Sequence, residues 1–129
     1  MEIVTLIENL VYKGSLKAEH GLSVLIKTGG YKILFDVGQT GAFLDNAGSL
    51  GEDLRDVDFI ILSHGHYDHT GGLENILEIN KTAKVIMKKS IVEEKYSNSV
   101  GKMREIGFKL RDRYRSYPNE FILLEGDYV

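Results

Sequence analysis

The sequence contains no cysteine and no long hydrophobic run. Without cysteine, the chain can form no disulfide, no thiolate metal site and no thiol nucleophile. Any metal ion would therefore have to be held by histidine and carboxylate side chains. Because no apolar run approaches the roughly 20 residues that a membrane-spanning helix needs, we expect no membrane partner.

The amino terminus also lacks the features of a secretion signal. It begins Met1-Glu2-Ile3, with an acid at the second position and no basic segment ahead of the first apolar residues. Secretory signals carry positive charge at that place. We therefore expect a cytoplasmic protein.

Charge is small in total and uneven along the chain. The net charge of -3 argues against general binding to nucleic acid. We expect a small-molecule substrate instead. Residues 1–80 carry 5 basic and 12 acidic side chains, whereas residues 81–115 carry 11 and 4. The basic segment 102–115 would either attract an anionic substrate or form an ordinary solvated face, and we assign it no site residue.

Hydrophobic residues at 43% and charged residues at 27% predict one packed domain over residues 1–129. β-rich or short apolar runs predict strands at 2–7, 22–27, 31–36, 59–62, 85–87 and 121–124. Helices are predicted at 42–47, from Leu73 onward with Thr70 as a possible cap, and at 91–96. Strands that alternate with helices indicate a layered α/β fold.

Three of the four histidines fall within six residues, directly after the predicted strand 59–62. In extended backbone, His64 and His66 share a face and could converge on one cation. Asp68 and His69 follow after the chain has begun to turn, so they would point to a second location nearby. Imidazole nitrogen and carboxylate oxygen are suitable ligands for zinc, iron or manganese. The cluster therefore predicts a metal site, for which a metal-free surface loop is the alternative.

The place of the cluster supports the same prediction. Functional sites in α/β folds gather beyond the carboxyl ends of strands, and the cluster begins two residues after Leu62. Gly65 is expected to permit close approach of the backbone, and Gly71-Gly72 to let the next helix start close to the site. Two cations about 3.5–4 Å apart can activate water and polarise a scissile oxygen.

The pattern His-x-His-x-Asp-His after a buried strand resembles the signature of the metallo-β-lactamase superfamily. His64, His66, Asp68 and His69 match all four signature positions. The segment 34–38 resembles the family's earlier strand that ends in an aspartate. The resemblance implies that Asp36 supports the ligands without binding metal itself, whereas a turn or capping aspartate is the alternative.

Longer strings at 19–23, 35–41 and 63–73 are similar to the branch that includes the ribofuranosylaminobenzene-phosphate synthases. In that branch His20 would lie in a loop beside the pocket, although a solvent-facing loop histidine is an equal alternative. The resemblance implies a hydrolase that uses a metal-bound hydroxide on a phosphate-bearing, ester or lactone small molecule. Zinc is the expected metal, with two ions possible and iron or manganese as alternatives.

The same resemblance implies an αββα sandwich, of which this chain would be the amino-terminal half: a mixed sheet with flanking helices. Family members continue with a further histidine, a bridging aspartate and a last histidine. No histidine follows His69, and the later aspartates are Asp112 and Asp127. We therefore expect a truncated half-domain that lacks the carboxy-terminal half.

Three hypotheses follow for such a chain. The first is a hydrolase that is active once the second half is supplied. The second is a catalytically incomplete metal-binding half-domain that works as a homo-oligomer or with a complementing chain, since half-folds expose sheet faces and edges. The strand predicted at 121–124 would be the one to pair outside the chain. The third is an iron-dependent oxygenase of the same superfamily.

Overall fold

The computed structural model describes residues 1–8, 16–92, 96–97, 104–105, 110 and 113–125. Its strands are β1 (Glu2–Ile7), β2 (Ser23–Thr28), β3 (Tyr31–Phe35), β4 (Phe59–Ile61), β5 (Lys84–Lys88), β6 (Tyr96–Ser97), β7 (Arg104–Glu105) and β8 (Phe121–Leu124). The α-helices are α1 (Ala42–Ser49), α2 (Tyr67–Thr70) and α3 (Leu73–Ile79), and 3₁₀ turns span Lys89–Val92 and Tyr114–Ser116.

Six strands form one mixed sheet in the order β1-β2-β3-β4-β5-β8. Strand β2 runs antiparallel to both of its neighbours, β1 and β3, whereas β3, β4, β5 and β8 are parallel neighbours. Strands β6 and β7 pair separately as an antiparallel ribbon. The α/β class with a mixed sheet and flanking helices, predicted from the sequence, is confirmed.

The predicted hairpin turn is present between β2 and β3. Thr28 pairs with Tyr31, which leaves Gly29 and Gly30 as a two-residue loop. Both glycines have positive φ, at 56° and 82°. A two-residue hairpin loop of this kind needs positive φ at both positions, and glycine adopts it without steric cost.

The core lies on one face of the sheet, under α1 and α3. Phe43 of α1 and Leu73, Ile76 and Leu77 of α3 are fully buried, and they belong to the same hydrophobic cluster as the inward residues of the strands. Three buried asparagines, Asn46, Asn80 and Asn119, donate to backbone carbonyl oxygens of the connections around this core. For example, Asn46 donates to the carbonyl oxygens of Leu6 (2.7 Å) and Lys17 (2.8 Å).

Two local predictions are wrong. The helix predicted at 91–96 is instead a 3₁₀ turn, Lys89–Val92, and a two-residue strand, Tyr96–Ser97, with 93–95 outside the described residues. Thr70 does not cap α3, whose N-cap is Gly72. Thr70 ends α2 and its hydroxyl donates to the carbonyl oxygen of His66 (3.0 Å), a back-bond typical of threonine in a helical turn.

Two further expectations concern pairing of the strand at 121–124 outside the chain and the absence of membrane-spanning helices. Strand β8 pairs in parallel with β5 inside the chain, and it forms the last strand of the sheet on that side. Whether it also pairs with another chain stays a prediction. Within the described residues, no helix combines the length and the apolar character that crossing a bilayer requires.

Candidate metal centre

The predicted site residues lie where two parallel strands end. Phe35 of β3 pairs with Ile61 of β4, so both strands end at the same edge of the sheet. Asp36 follows β3 with a positive φ of 56°, and its N–H donates to the Ile61 carbonyl (2.8 Å). Aspartate tolerates this left-handed conformation better than most residues. The turn brings the Asp36 side chain beside the residues that follow β4.

The Asp36 carboxylate is fully buried and accepts hydrogen bonds from both sides. The Ser63 N–H donates to Oδ1 (2.7 Å), and the Ser63 hydroxyl donates to Oδ2. The Nδ1 atom of His69 lies 2.7 Å from the same Oδ2. An ionised Asp36 carboxylate can only accept, so the contact fits the His69 tautomer that carries its proton on Nδ1 and has the Nε2 lone pair available to a ligand. This contact is compatible with the supporting role predicted for Asp36.

A single helical turn places Asp68 and His69. The His66 carbonyl accepts from the N–H groups of His69 (3.0 Å) and Thr70 (3.1 Å), so the helical turn starts directly after the extended part of the cluster. The Val37 N–H donates to the His69 carbonyl (2.8 Å), which ties this turn to the loop after β3. The change from extended to helical backbone therefore falls inside the cluster, as its spacing predicts.

The three imidazole rings of the cluster lie together. The ring of His64 is 4.2 Å from that of His69 and 4.8 Å from that of His66, between centroids. His64 thus lies between the other two rings instead of pairing with His66 alone. Burial lowers the pKa of His64, and the charges of His69 and His66 lower it further. A lowered pKa favours the neutral imidazole, which is the form that binds metals.

The carboxylate of Asp68 lies between two imidazoles. Its Oδ2 atom is 3.7 Å from Nε2 of His69 and 3.0 Å from Nε2 of His20. The contact with His20 was not predicted, and neither was the role of Ser63 on Asp36. Ser63 directly precedes the cluster, which is a usable signal, whereas no sequence spacing connects His20 with Asp68.

The two glycines of the cluster region differ. A Cβ atom on Gly72 would lie 2.3 Å from the Val37 carbonyl oxygen and 2.5 Å from that of Thr40, so only glycine lets α3 start this close to the site. The same atom on Gly65 would lie 3.6 Å from the nearest atom, the Ile91 carbonyl oxygen. That is ordinary van der Waals contact, so the backbone approach at Gly65 does not require glycine.

A cavity of about 210 Å³ opens beside the imidazoles. Its lining comprises residues 63–66 with Lys88, Ser90 and Ile91. Lys88 ends β5, the parallel neighbour of β4, and this brings it into the same cavity lining as His64 and His66. The lining therefore includes two candidate metal ligands and one basic residue.

Most of the basic segment lies outside the described residues, including Lys102, Lys109 and Arg111. Nothing is described for the side chain of Arg104. Arg113 lies 3.6 Å from Glu74, and Arg115 donates to the Tyr114 hydroxyl (3.1 Å). Tyr114 is buried and packs against Phe121, with 5.1 Å between ring centroids, so it is a core residue.

The donor types at this edge fit a divalent cation such as zinc. The imidazoles and the Asp68 carboxylate are suitable donors, and the buried Asp36 fixes one ring nitrogen as metal sites commonly require. In the part of the chain that the structure describes, however, no three such side chains are arranged to hold a metal ion as they stand. His64 also uses Nδ1 to accept from the His66 N–H (3.2 Å). The described residues therefore supply part of a ligand set and not a closed one.

Comparisons with known proteins agree with this geometry. The family model described as "Metallo-beta-lactamase superfamily" matches residues 16–126. An uncharacterised protein of Methanocaldococcus jannaschii is 39% identical over 98 residues, which is 75% of this chain and 38% of that protein. The 7,8-dihydropterin-6-methyl-4-(beta-D-ribofuranosyl)-aminobenzene-5'-phosphate synthase of the same organism is 38% identical over 104 residues, or 75% of this chain and 35% of that protein.

A solved structure shows the same arrangement of the chain. It is described as a metal-dependent hydrolase of the beta-lactamase superfamily, and it matches with a TM-score of 0.72 and 32% identity. The match covers 95% of this chain and 42% of that one. The chain thus spans less than half the length of these relatives.

Proposed function

Because the chain belongs to the metallo-β-lactamase superfamily, we propose that it provides part of the active site of a metal-dependent hydrolase for small molecules. The observation that carries the proposal is the pairing of His69 with the fully buried Asp36, beside the rings of His64 and His66. A buried carboxylate that orients one imidazole among three is an arrangement that metal sites use and that a surface loop does not need.

The proposed ligands are His64, His66, Asp68 and His69, with Asp36 holding His69 in place. Zinc is the metal that this ligand set favours, as one or two ions, and iron and manganese are alternatives. A bound divalent ion lowers the pKa of a coordinated water to about 7 and polarises the bond to be broken. The protein's own contribution is to keep the His64 ring neutral, which its burial supports, and to orient the His69 ring, which the Asp36 contact supports.

The proposed substrate is a phosphate-bearing small molecule, with an ester or lactone as the alternative. Lys88 lines the cavity next to His64 and His66, and its charge would hold an anionic group there. One relative is named for making a 5'-phosphate compound, which supports the same class. Hydrolysis of an uncharged lactone should not depend on Lys88, because the lactone has no anionic group for its charge to hold.

We further propose that residues 1–129 form one half-domain and that additional ligands come from outside them. The ligand set of the described residues is not closed, and the relatives are more than twice as long as the matched segments. The second candidate function is a catalytically incomplete half-domain that binds metal and works by association with itself or with a complementing chain. It is favoured by the apolar, partly exposed residues on one face of the sheet.

A metal titration of this chain tests the proposal. Zinc, manganese and ferrous iron are each titrated by calorimetry, with bound metal counted by elemental analysis. Hydrolysis of bis(p-nitrophenyl) phosphate and of a simple lactone is followed in parallel. We expect zinc to bind and His66→Ala to weaken its binding by at least about tenfold, since a ligand is lost. Asp45→Asn, a change on the exposed ion pair with Lys17, should leave zinc binding unchanged.

The results separate the candidates. Two ions per chain with hydrolysis support the enzyme, and one ion without hydrolysis in an associated chain supports the half-domain. If neither zinc, manganese nor iron binds more tightly to the parent chain than to His66→Ala, the metal centre is refuted.

A further inference from the structure

We propose that His20 is a positioning residue of the candidate metal centre, which holds the carboxylate of Asp68 through its Nε2 atom. This inference rests on the proposed function. The two atoms concerned, His20 Nε2 and Asp68 Oδ2, lie 3.0 Å apart. A neutral and a protonated imidazole can both donate from Nε2–H, so the contact does not depend on the charge of His20.

The residue before His20 is anchored to the loop that follows Asp36. The Glu19 carboxylate accepts from the N–H of Gln39 (2.7 Å), the N–H of Thr40 (3.0 Å) and the Thr40 hydroxyl (2.7 Å). Three hydrogen bonds to one carboxylate hold this side of the loop at a defined distance from the site.

The residue after His20, Gly21, packs against the helical turn that carries Asp68 and His69. Gly21 has a φ of 140°, and a Cβ atom there would lie 2.1 Å from the Asp68 carbonyl oxygen. Only glycine permits this approach of the two backbones. The next residue, Leu22, accepts from the Gly38 N–H (2.9 Å). His20 therefore lies between two fixed neighbours, one on each side.

The exposed fractions of the His20 and Asp68 side chains indicate whether His20 positions Asp68 or only packs in the fold. The His20 side chain is 69% exposed and that of Asp68 is 16% exposed. A ring that is mostly in solvent gains little from burial, so its value to the fold is small. An imidazole that restrains one oxygen of a metal ligand can still raise metal affinity, because contacts behind ligating groups are commonly worth 10–100-fold.

Two substitutions and a control test the proposal. His20→Ala removes the donor, whereas His20→Gln offers an amide N–H at a similar reach. Lys17→Ala changes the same loop but removes only the exposed pair with Asp45. Zinc affinity is measured by competition with a chromophoric chelator, and the stability of the metal-free chain by urea unfolding.

We expect His20→Ala to weaken zinc binding about tenfold, His20→Gln to recover most of it and Lys17→Ala to change nothing. The urea midpoint should be the same in all four proteins. Unchanged zinc affinity in His20→Ala overturns the proposal. So does a loss of affinity that His20→Gln fails to recover and that a fall in the urea midpoint accompanies, since that result means a structural role only.

A second readout needs no metal. In the ¹⁵N spectrum of the metal-free chain, His20 should carry its proton on Nε2, and Asp68→Asn should shift that signal more than Lys17→Ala does. Failure of the parent chain to bind zinc refutes the proposed function and leaves this test of the contact intact. An Nε2 signal that is indifferent to Asp68→Asn refutes the contact even where zinc binds.

Discussion

The two faces of the six-stranded sheet differ in a way that strand pairing makes plain. One row across the sheet runs through Leu25, Leu34, Ile60 and Val85, which pair in turn and are all 0% exposed. The adjacent row, on the other face, is apolar from β2 to β8 but only partly buried. It comprises Val24, Phe35, Ile61, Ile86 and Ile122.

The difference lies in how far the described residues cover each face. Helices α1 and α3 supply the apolar cover of the first row from within the chain. A sheet face meant for water alternates with polar residues, and the second row has none over five strands. Such a face is suited to contact with another apolar layer. We propose that a second sheet, as an αββα sandwich requires, covers this row.

The largest expected effect comes from neighbouring residues of β4 that belong to opposite rows. Ile60→Ala should lower the free energy of unfolding by 2–5 kcal/mol, because it leaves a cavity in a closed core. Ile61→Ala should lower it by about 1 kcal/mol, since that side chain is already partly in solvent. Urea unfolding of both variants beside the parent chain measures the two losses. Equal losses would show that both faces are closed within this chain.

An intermediate effect is expected on association. Ile86→Glu places a charge within the second row, so self-association through that face should weaken by about tenfold or more, which is about 1.4 kcal/mol. The matched control is Ile79→Glu, on a side chain of α3 that is 46% exposed. Sedimentation equilibrium over a range of concentrations gives the dissociation constants. A parent chain that is monomeric throughout would contradict the proposed homo-oligomer.

The smallest expected effect concerns neither apolar face but His64, which follows β4 at the edge of the sheet, and the pH dependence of stability that it causes. Burial holds the pKa of His64 below its ordinary value of 6.5, so the unfolded chain takes up a proton at this ring before the folded chain does. The metal-free chain should therefore lose stability as pH falls through 6.5 toward the lower, folded-state pKa. His64→Gln, which cannot be protonated, should lose less between about pH 8 and about pH 5.5.

Urea unfolding with a chelator present, at both pH values, measures this difference for the parent and the variant. Titrating groups away from the cluster contribute equally to the two proteins, so the change in slope is assigned to His64 together with its coupling to His66 and His69. An identical pH dependence in the two proteins would show that protonation of this ring is not coupled to folding.

Features that depend on neighbouring residues were predicted well. The turn at Gly29-Gly30 and the six strands of the main sheet follow from glycine conformation and from short β-rich runs. The cluster of candidate ligands could be picked out because its residue types, spacing and place after a strand are all local, and its metal binding stays a prediction. The helix predicted at 91–96 failed because apolar spacing in a short segment does not distinguish a helix from a turn followed by a strand.

The sequence by itself determined the α/β class, the strands and the identity of the candidate ligands, since side-chain periodicity and donor chemistry are properties of each segment alone. Only the tertiary structure decided which strands are neighbours, and with that which distant groups meet at one edge. The contact between Asp36 and His69 joins residues 33 positions apart, and the contacts of Ser63 and His20 are likewise made across the sheet edge. Those meetings depend on how the whole chain packs, because chain folding, and not spacing, sets the distance between residues far apart in sequence.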